Sequence, residues 1–223
     1  MKITISKENY LKAIAEAESE GETVIAATLA RWLKVSAPAV TMAIRRLKRD
    51  ELIRVAREGQ ITLTRSGRAI ANRLLTRHHL IERMLTEVFG MEWYKVHDEA
   101  EQMEHAVSAD FENKLRERLG DGGACPHGNR VGVDTPNDRR RRGLKPLDEA
   151  ELEERLAVVS VFERERRFLE NLDRLNVRPG TAMCITAASR DALTVDVDGR
   201  TVQIARPVAE RVWVRPMTAS TSR

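Results

Sequence analysis

The spacing of apolar residues along this chain changes period three times, and each change marks a new kind of element. From residue 6 to 19, Tyr10, Leu11, Ile14 and Ala15 recur at helical spacing behind Ser6, a residue suited to cap a helix; Gly21 ends the run. Residues 24–34 read as a second short helix, followed by a turn at Val35-Ser36. Ser36 caps a third helix, with Pro38 in the first turn, where a missing N–H costs little. That helix runs to about Glu51, and Val40, Ile44 and Leu47 form its core face. The period then shortens: Leu52–Ala56, a turn at Arg57-Glu58-Gly59-Gln60, and Ile61–Thr64 read as strand, turn, strand. Helix-turn-helix followed by a β-hairpin is a winged helix.

Helical spacing returns from Arg65 to about Gly90, and again over about 94–119 up to Gly120. Two long helices outside the winged unit suggest a helical dimerisation domain. Residues 120–148 are rich in Gly, Pro and Arg and include the run Arg139–Arg142; they read as a loop followed by a solvated linker. The last third is β-rich. Leu156–Val161, Thr181–Ala187, Leu193–Val197, Thr201–Ala205 and Val212–Val214 predict strands, with a helix at about 163–175 and a hairpin turn at Asp198-Gly199. Short strands at this spacing form a small β-barrel. The fold class is therefore mostly α with small β. The expected domains are a winged-helix unit at 1–73, a helical dimerisation and metal-binding unit at 74–138, a linker at 139–149 and a β-domain at 150–223.

Composition narrows the partners. Of 223 residues, 42% are hydrophobic, which excludes a disordered chain. Aromatic residues make up only 4%, which argues against stacking on single-stranded nucleic acid. A formal net charge of +4 suits a polyanionic partner. Two cysteines, Cys125 and Cys184, make no disulfide framework, so the cytoplasm is the expected compartment. Cys184 falls inside a strand and reads as core. No stretch approaches the apolar length of a membrane span, so no membrane association is expected, and no small organic substrate.

Helix-turn-helix units read bases with the start of the second helix. The exposed candidates are Ser36, Pro38, Ala39, Thr41 and Met42. None can make the bidentate bond that recognises guanine, so readout would use thymine methyls and DNA shape. Arg45, Arg46, Lys48 and Arg49, with Arg57 on the wing, are the phosphate-contact candidates. The densest chemistry lies in residues 95–105, Lys-Val-His-Asp-Glu-Ala-Glu-Gln-Met-Glu-His. On a helix, His97, Glu101, Glu104 and His105 share one face. Carboxylate and imidazole without sulfur suit a divalent ion such as Mn²⁺ or Fe²⁺. His78 and Glu82 repeat the one-turn spacing upstream, whereas His79 is rotated away and reads as a surface residue.

A winged helix, a helix reading HDEAEQMEH and a Cys-Pro-His-Gly turn before a β-domain together closely resemble the diphtheria toxin repressor family of metal-dependent transcriptional repressors. The resemblance covers nearly the whole chain and is most specific from Arg77 to His105. It implies an SH3-like β-domain, carried by Leu-Asn-Val-Arg-Pro-Gly-Thr at 175–181. It implies a primary metal site of Asn9, Glu101, Glu104 and His105. The iron-responsive branch has Cys where this chain has Glu101, which points to Mn²⁺, with Fe²⁺ second and Zn²⁺ able to bind in vitro. Asn9 departs from the family's Asp or Met and offers a neutral amide oxygen, while the neighbouring Glu8 is expected on another helix face. The second site implied uses His78, Glu82 and His97, with Cys125 and His127 in another arrangement. A carboxylate of the last domain completes it: Glu165, with Glu163 the next choice. The resemblance further implies a homodimer on double-stranded, pseudo-palindromic operator DNA, repressing metal-uptake genes. The competing readings are a metal-independent winged-helix regulator and a metallohydrolase; without a separate general base, no enzyme is expected.

Overall fold

A computed structural model of the protein describes residues 3–120, 122–130, 132 and 134–217. The chain forms two compact units. One comprises residues 1–81, 101–123 and 130–136; the other comprises 82–100, 124–129 and 137–223.

In the first unit, α1 (Ile5–Ser19) begins two residues earlier than the sequence suggests. Thr4, not Ser6, is the cap, and its hydroxyl accepts the Lys7 N–H at 3.4 Å. Leu11, Ile14, Ala15 and Ala17 are completely buried, but so, nearly, are Lys12 and Glu16 on another side of the same helix. The second helix, α2 (Ala26–Leu33), stops where Lys34 turns left-handed at φ 53°. The third, α3 (Ala37–Arg49), follows Ser36 and carries Pro38 in its first turn. Strands β1 (Ile53–Val55) and β2 (Ile61–Leu63) pair antiparallel with Arg54 opposite Thr62, completing the winged helix. Leu11, Ile14, Leu29, Val40, Leu47 and Ile61 meet in one core, each contributing about 2 kcal/mol on burial. The long helix α4 (Arg65–Glu87) then begins.

The single helix expected over 94–119 is two. The first piece, α5, spans Val96–Met103; the second, α6, spans Ala109–Leu119. Ser108 accounts for the break, because its hydroxyl accepts the Phe111 N–H at 3.2 Å and caps α6. Glu104 and His105 therefore lie in the turn after α5 rather than on a continuous helix face.

The second unit is built on a six-stranded antiparallel sheet. Its strands are β3 (Lys145–Pro146), β4 (Arg155–Val161), β5 (Ala182–Ala188), β6 (Ala192–Val197), β7 (Arg200–Ala205) and β8 (Val212–Pro216). The order is β3-β8-β4-β5-β6-β7, with β3 and β7 at the edges of this SH3-like sheet. Leu193, Val195 and Val197 alternate inward along β6. They pack with Leu156, Val158, Trp93 and the buried face of the helix Arg166–Arg174, which supplies Phe168, Leu169 and Leu172. Trp93 Nε1 donates to Asp173 at 2.7 Å. Cys184 is only half-buried, not core.

The stretch expected to be a solvated linker is packed. Leu144 and Leu147 are buried, and Arg139 is 3% exposed, its guanidinium 5.0 Å from the Trp213 ring centre. Arg140 makes a bidentate pair with Glu149, both bonds 2.6 Å. Aromatic and carboxylate partners far along the chain, invisible to a local reading, convert the Arg run into structure.

The Cys125–Gly128 turn is held against β4. Gly128 N–H donates to Cys125 O at 2.8 Å, and Val161 N–H donates to His127 O at 2.9 Å. Gly128 has φ +82°, and a Cβ there would sit 1.9 Å from Val159 O. Gly128→Ala should therefore lower the stability of this unit by about 1–3 kcal/mol, measured as thermal unfolding of the metal-free chain. An unchanged melting temperature would contradict the close approach.

Candidate metal centres and DNA-reading face

The first cluster lies within the first unit. Glu104 is 2% exposed and His78 fully buried, and His78 Nδ1 lies 2.6 Å from Glu104 Oε2. A buried carboxylate needs a compensating charge or hydrogen bonds. Lys12, from the middle of α1, supplies both: its Nζ donates to Glu104 Oε2 at 2.7 Å and lies 3.0 Å from His78 Nδ1. The same ammonium is 3.8 Å from Glu16 and 3.9 Å from Glu101. Burial alone would push the Lys12 pKa down, but the pull of Glu16, Glu104 and Glu101 outweighs it and raises the pKa. Burial likewise opposes ionisation of Glu104, yet the His78 hydrogen bond and the Lys12 charge hold its pKa down at about 2. Arg77 fixes the turn from behind, donating to Glu104 O at 3.0 Å and to Glu112 at 2.9 Å.

His105 sits beside this pair, its Nε2 3.6 Å from Glu104 Oε1. Its Nδ1 is 2.9 Å from Glu8 Oε2. The expectation that Glu8 faces elsewhere is thus corrected: Glu8, Lys12 and Glu16 are successive i,i+4 positions and form one stripe of α1. Asn9 is half-buried at the edge of that stripe. Of the four expected primary ligands, Glu104 and His105 are adjacent, and Glu101 is joined to Glu104 through Lys12. Lys12 and Glu8 were missed, although their spacing was the signal that could have found them. The donor types suit a divalent cation; carboxylates and imidazoles meet in pairs with a positive nitrogen among them, and among the described residues Glu101, Glu104 and His105 do not form a set within 4.8 Å of one another.

The second cluster lies within the second unit. Glu82, from the end of α4, reaches His97 Nδ1 at 3.2 Å and His127 Nδ1 at 3.5 Å. Glu163, just after β4, is 3.4 Å from His127 Nδ1 and 4.0 Å from His97 Nδ1. Cys125 Sγ donates to Glu163 Oε2 at 3.3 Å. Asn129 Nδ2 orients that carboxylate, donating to Oε2 at 2.7 Å. His127 Nε2 is 2.8 Å from Trp93 O, which directs Nδ1 at the carboxylates. Burial works against a charged His127, but Glu82 and Glu163 raise its pKa to about 10. Burial and the same carboxylates push the Cys125 thiol well above its ordinary value. Two carboxylates, two imidazoles and a thiol, all turned inward, fit a divalent ion of borderline softness.

Glu165 does not join them. It is largely exposed and pairs with Arg211 at 2.9 Å, leaving Glu163 as the carboxylate following β4 that reaches the cluster. The sequence sets the end of β4 at Val161, as observed, but does not say which of the two carboxylates beyond it turns toward the imidazoles. His78 contributes to the first cluster, and His79 is 4% exposed, not a surface residue.

Every expected DNA-contact residue is exposed: Ser36, Pro38, Ala39, Thr41, Met42, Arg45, Arg46, Lys48, Arg49 and Arg57. Thr41 Oγ1 donates to Ala37 O at 3.0 Å, which leaves its methyl outward. Arg49 pairs with Asp50 at 3.1 Å, while Val40 and Leu47 anchor the opposite face.

Comparison with known proteins assigns these features. Residues 2–60 match the family described as iron dependent repressor, N-terminal DNA binding domain. Residues 64–131 match iron dependent repressor, metal binding and dimerisation domain, and residues 145–216 match the FeoA domain. The diphtheria toxin repressor of Corynebacterium diphtheriae is 31% identical over 94% of this chain and 96% of its own length. The chain belongs to the diphtheria toxin repressor family. It is accordingly a metal-dependent transcriptional repressor and not an enzyme, which removes both competing readings. The iron-dependent repressor IdeR of Mycobacterium tuberculosis is 40% identical over 56% of this chain and 54% of its own. A solved structure described as a manganese-dependent transcriptional repressor in complex with manganese superposes with a TM-score of 0.84. It is 28% identical and covers 95% of this chain and all of its own. Among the described residues, no helix is long and apolar enough to cross a membrane.

Arg46→Ala should weaken DNA binding across sequences and reduce the salt slope by about 1. Binding isotherms at several salt concentrations measure this; a loss confined to one base position would mean that Arg46 reads a base.

Proposed function

We propose that this member of the family responds to Mn²⁺ ahead of Fe²⁺. It binds pseudo-palindromic operator DNA as a homodimer in the cytoplasm, and it represses metal-uptake genes when metal is plentiful. The observation that carries the metal choice is the sulfur-free donor set of the first cluster, Glu101, Glu104 and His105 with Asn9 at its edge. Such a set favours a harder ion than a thiolate site would. The likeness to a repressor described as manganese-dependent supports the same choice. Zn²⁺ would bind in vitro, as high intrinsic affinity for nitrogen and oxygen donors dictates.

The second cluster would hold a further ion through Glu82, His97, Cys125, His127 and Glu163. A bound ion supplies two positive charges at each cluster and fixes the directions of its donors. Glu8 and Asn9 come from α1, whereas Glu101, Glu104 and His105 come from α5 and the turn after it. Their convergence on one centre would set the orientation of α1, whose inner face carries α2 and α3. DNA must then favour metal binding by the same factor as metal favours DNA. Exposed Val88 and Phe89, 56% and 69% accessible, offer apolar surface suited to burial against a second copy. At the DNA face, Ala39, Thr41 and Met42 would contact thymine methyls, and the arginines the phosphates.

The test is fluorescence anisotropy on promoter DNA of a metal-uptake gene, titrating Mn²⁺, anaerobic Fe²⁺ and Zn²⁺ into chelator-treated protein. Half-activation at lower Mn²⁺ than Fe²⁺ is expected; the reverse order would overturn the manganese assignment. Glu104→Ala should weaken metal-activated binding at least about tenfold with the helical circular dichroism unchanged. An intact metal response in that variant would remove the first cluster from the switch.

A further inference from the structure

Lys12 is a cation buried inside a cluster built of metal-ligand types. Its Nζ lies 2.7 Å from Glu104, 3.0 Å from His78, 3.8 Å from Glu16 and 3.9 Å from Glu101. The side chain is 4% exposed, so these are not surface contacts that water would screen. We infer that Lys12 is a resident cation of the first cluster, occupying it when metal is absent and being expelled from it when a divalent ion binds.

The argument is one of charge and donor count. Glu16, Glu101 and Glu104 bring three carboxylates around the one ammonium, which leaves the group with an excess of two negative charges before His78 is counted. Without Lys12, buried Glu104 would keep His78 as its close partner but lose the ammonium that also faces Glu16 and Glu101, and removing one partner of a buried charge is strongly unfavourable. The ammonium therefore stabilises the metal-free protein. The Glu104 oxygen that accepts from Lys12 is also one of the few oxygens available to a metal, so ammonium and metal cannot both use it fully. Competition follows: whatever Lys12 contributes to the metal-free state is subtracted from metal affinity, and the response threshold rises. Lys12 has a long, flexible stem, which allows the head to swing out without moving α1. Glu16, one turn later on the same stripe and 3.8 Å from the Lys12 Nζ, offers a carboxylate toward which the displaced ammonium can turn. This inference rests on the reading of the first cluster as a metal centre and adds the element that sets its sensitivity.

Mn²⁺ binding to the full-length, chelator-treated chain, followed by loss of the free-ion electron paramagnetic resonance signal, tests it. Lys12→Gln should tighten one class of site about tenfold or more and leave the other unchanged, while lowering the melting temperature of the metal-free protein. Lys12→Arg, which keeps the charge, should leave the affinity near that of the natural chain. Unchanged or weaker Mn²⁺ binding in folded Lys12→Gln would overturn the inference. Wild-type protein supplies a second readout that needs no variant: amine labelling with mass spectrometry. Lys12 should be protected without metal and become reactive at saturating Mn²⁺. Protection that persists while Mn²⁺ binds would overturn the inference but leave the metal centre standing. Failure of Mn²⁺ to bind either protein would remove the metal centre itself.

Discussion

Buried charge that has to be balanced is the constraint on which this structure depends. Glu104 is 2% exposed and ionised, with a pKa near 2, so a positive partner must lie within hydrogen-bond distance. That requirement ties α1 to the turn after α5, through Lys12 on Glu104 and Glu8 on His105. The same α1 packs Leu11 and Ile14 into the core that positions the recognition helix α3. A change in what neutralises Glu104 is thus felt by the helix that supports the DNA-reading face. Under the proposed function, metal sensing and DNA reading would share this element, and the electrostatics of the first cluster would couple them.

The second unit meets the same constraint differently. There the carboxylates Glu82 and Glu163 are balanced by His127, whose ring is aimed by Trp93 O and held charged by its neighbours. The Cys125–Gly128 turn can lie this close to β4 only because Gly128 has no Cβ. The β-sheet accordingly does more than add mass to the chain. Val161 N–H fixes the turn through His127 O, and Glu163, two residues beyond, delivers the carboxylate. Burial and these carboxylates keep the Cys125 thiol protonated, and under the proposed function an ion bound there would displace that proton.

Much of this was legible in the sequence, for identifiable reasons. The winged helix is written in apolar spacing, in Pro38 and in the Gly59 turn, and all of these are local signals. The ligand types of the first cluster were equally visible in HDEAEQMEH. What the sequence concealed were long-range pairings. Lys12 lies between Leu11 and Ala13 in an apolar run, and nothing local says that its partner is Glu104, 92 residues on. Glu163 and Glu165 have the same composition-level claim on the second cluster, and only their distant partners decide between them: Cys125 and Asn129 hold Glu163, whereas Arg211 holds Glu165. The Arg139–Arg142 run looked solvated because Trp213 and Glu149, which hold Arg139 and Arg140, are distant in sequence or not evidently partners. The break at Ser108 was readable as a cap, but the helical spacing on both sides masked it.

The most direct test of the account is a crystal structure of the full chain grown with Mn²⁺, with anomalous data collected at the manganese edge. The account predicts a manganese peak among Glu101, Glu104 and His105, with the Lys12 ammonium withdrawn from Glu104, and a second peak among Glu82, His127 and Glu163. A peak only at the second cluster, with Lys12 still bonded to Glu104, would contradict it.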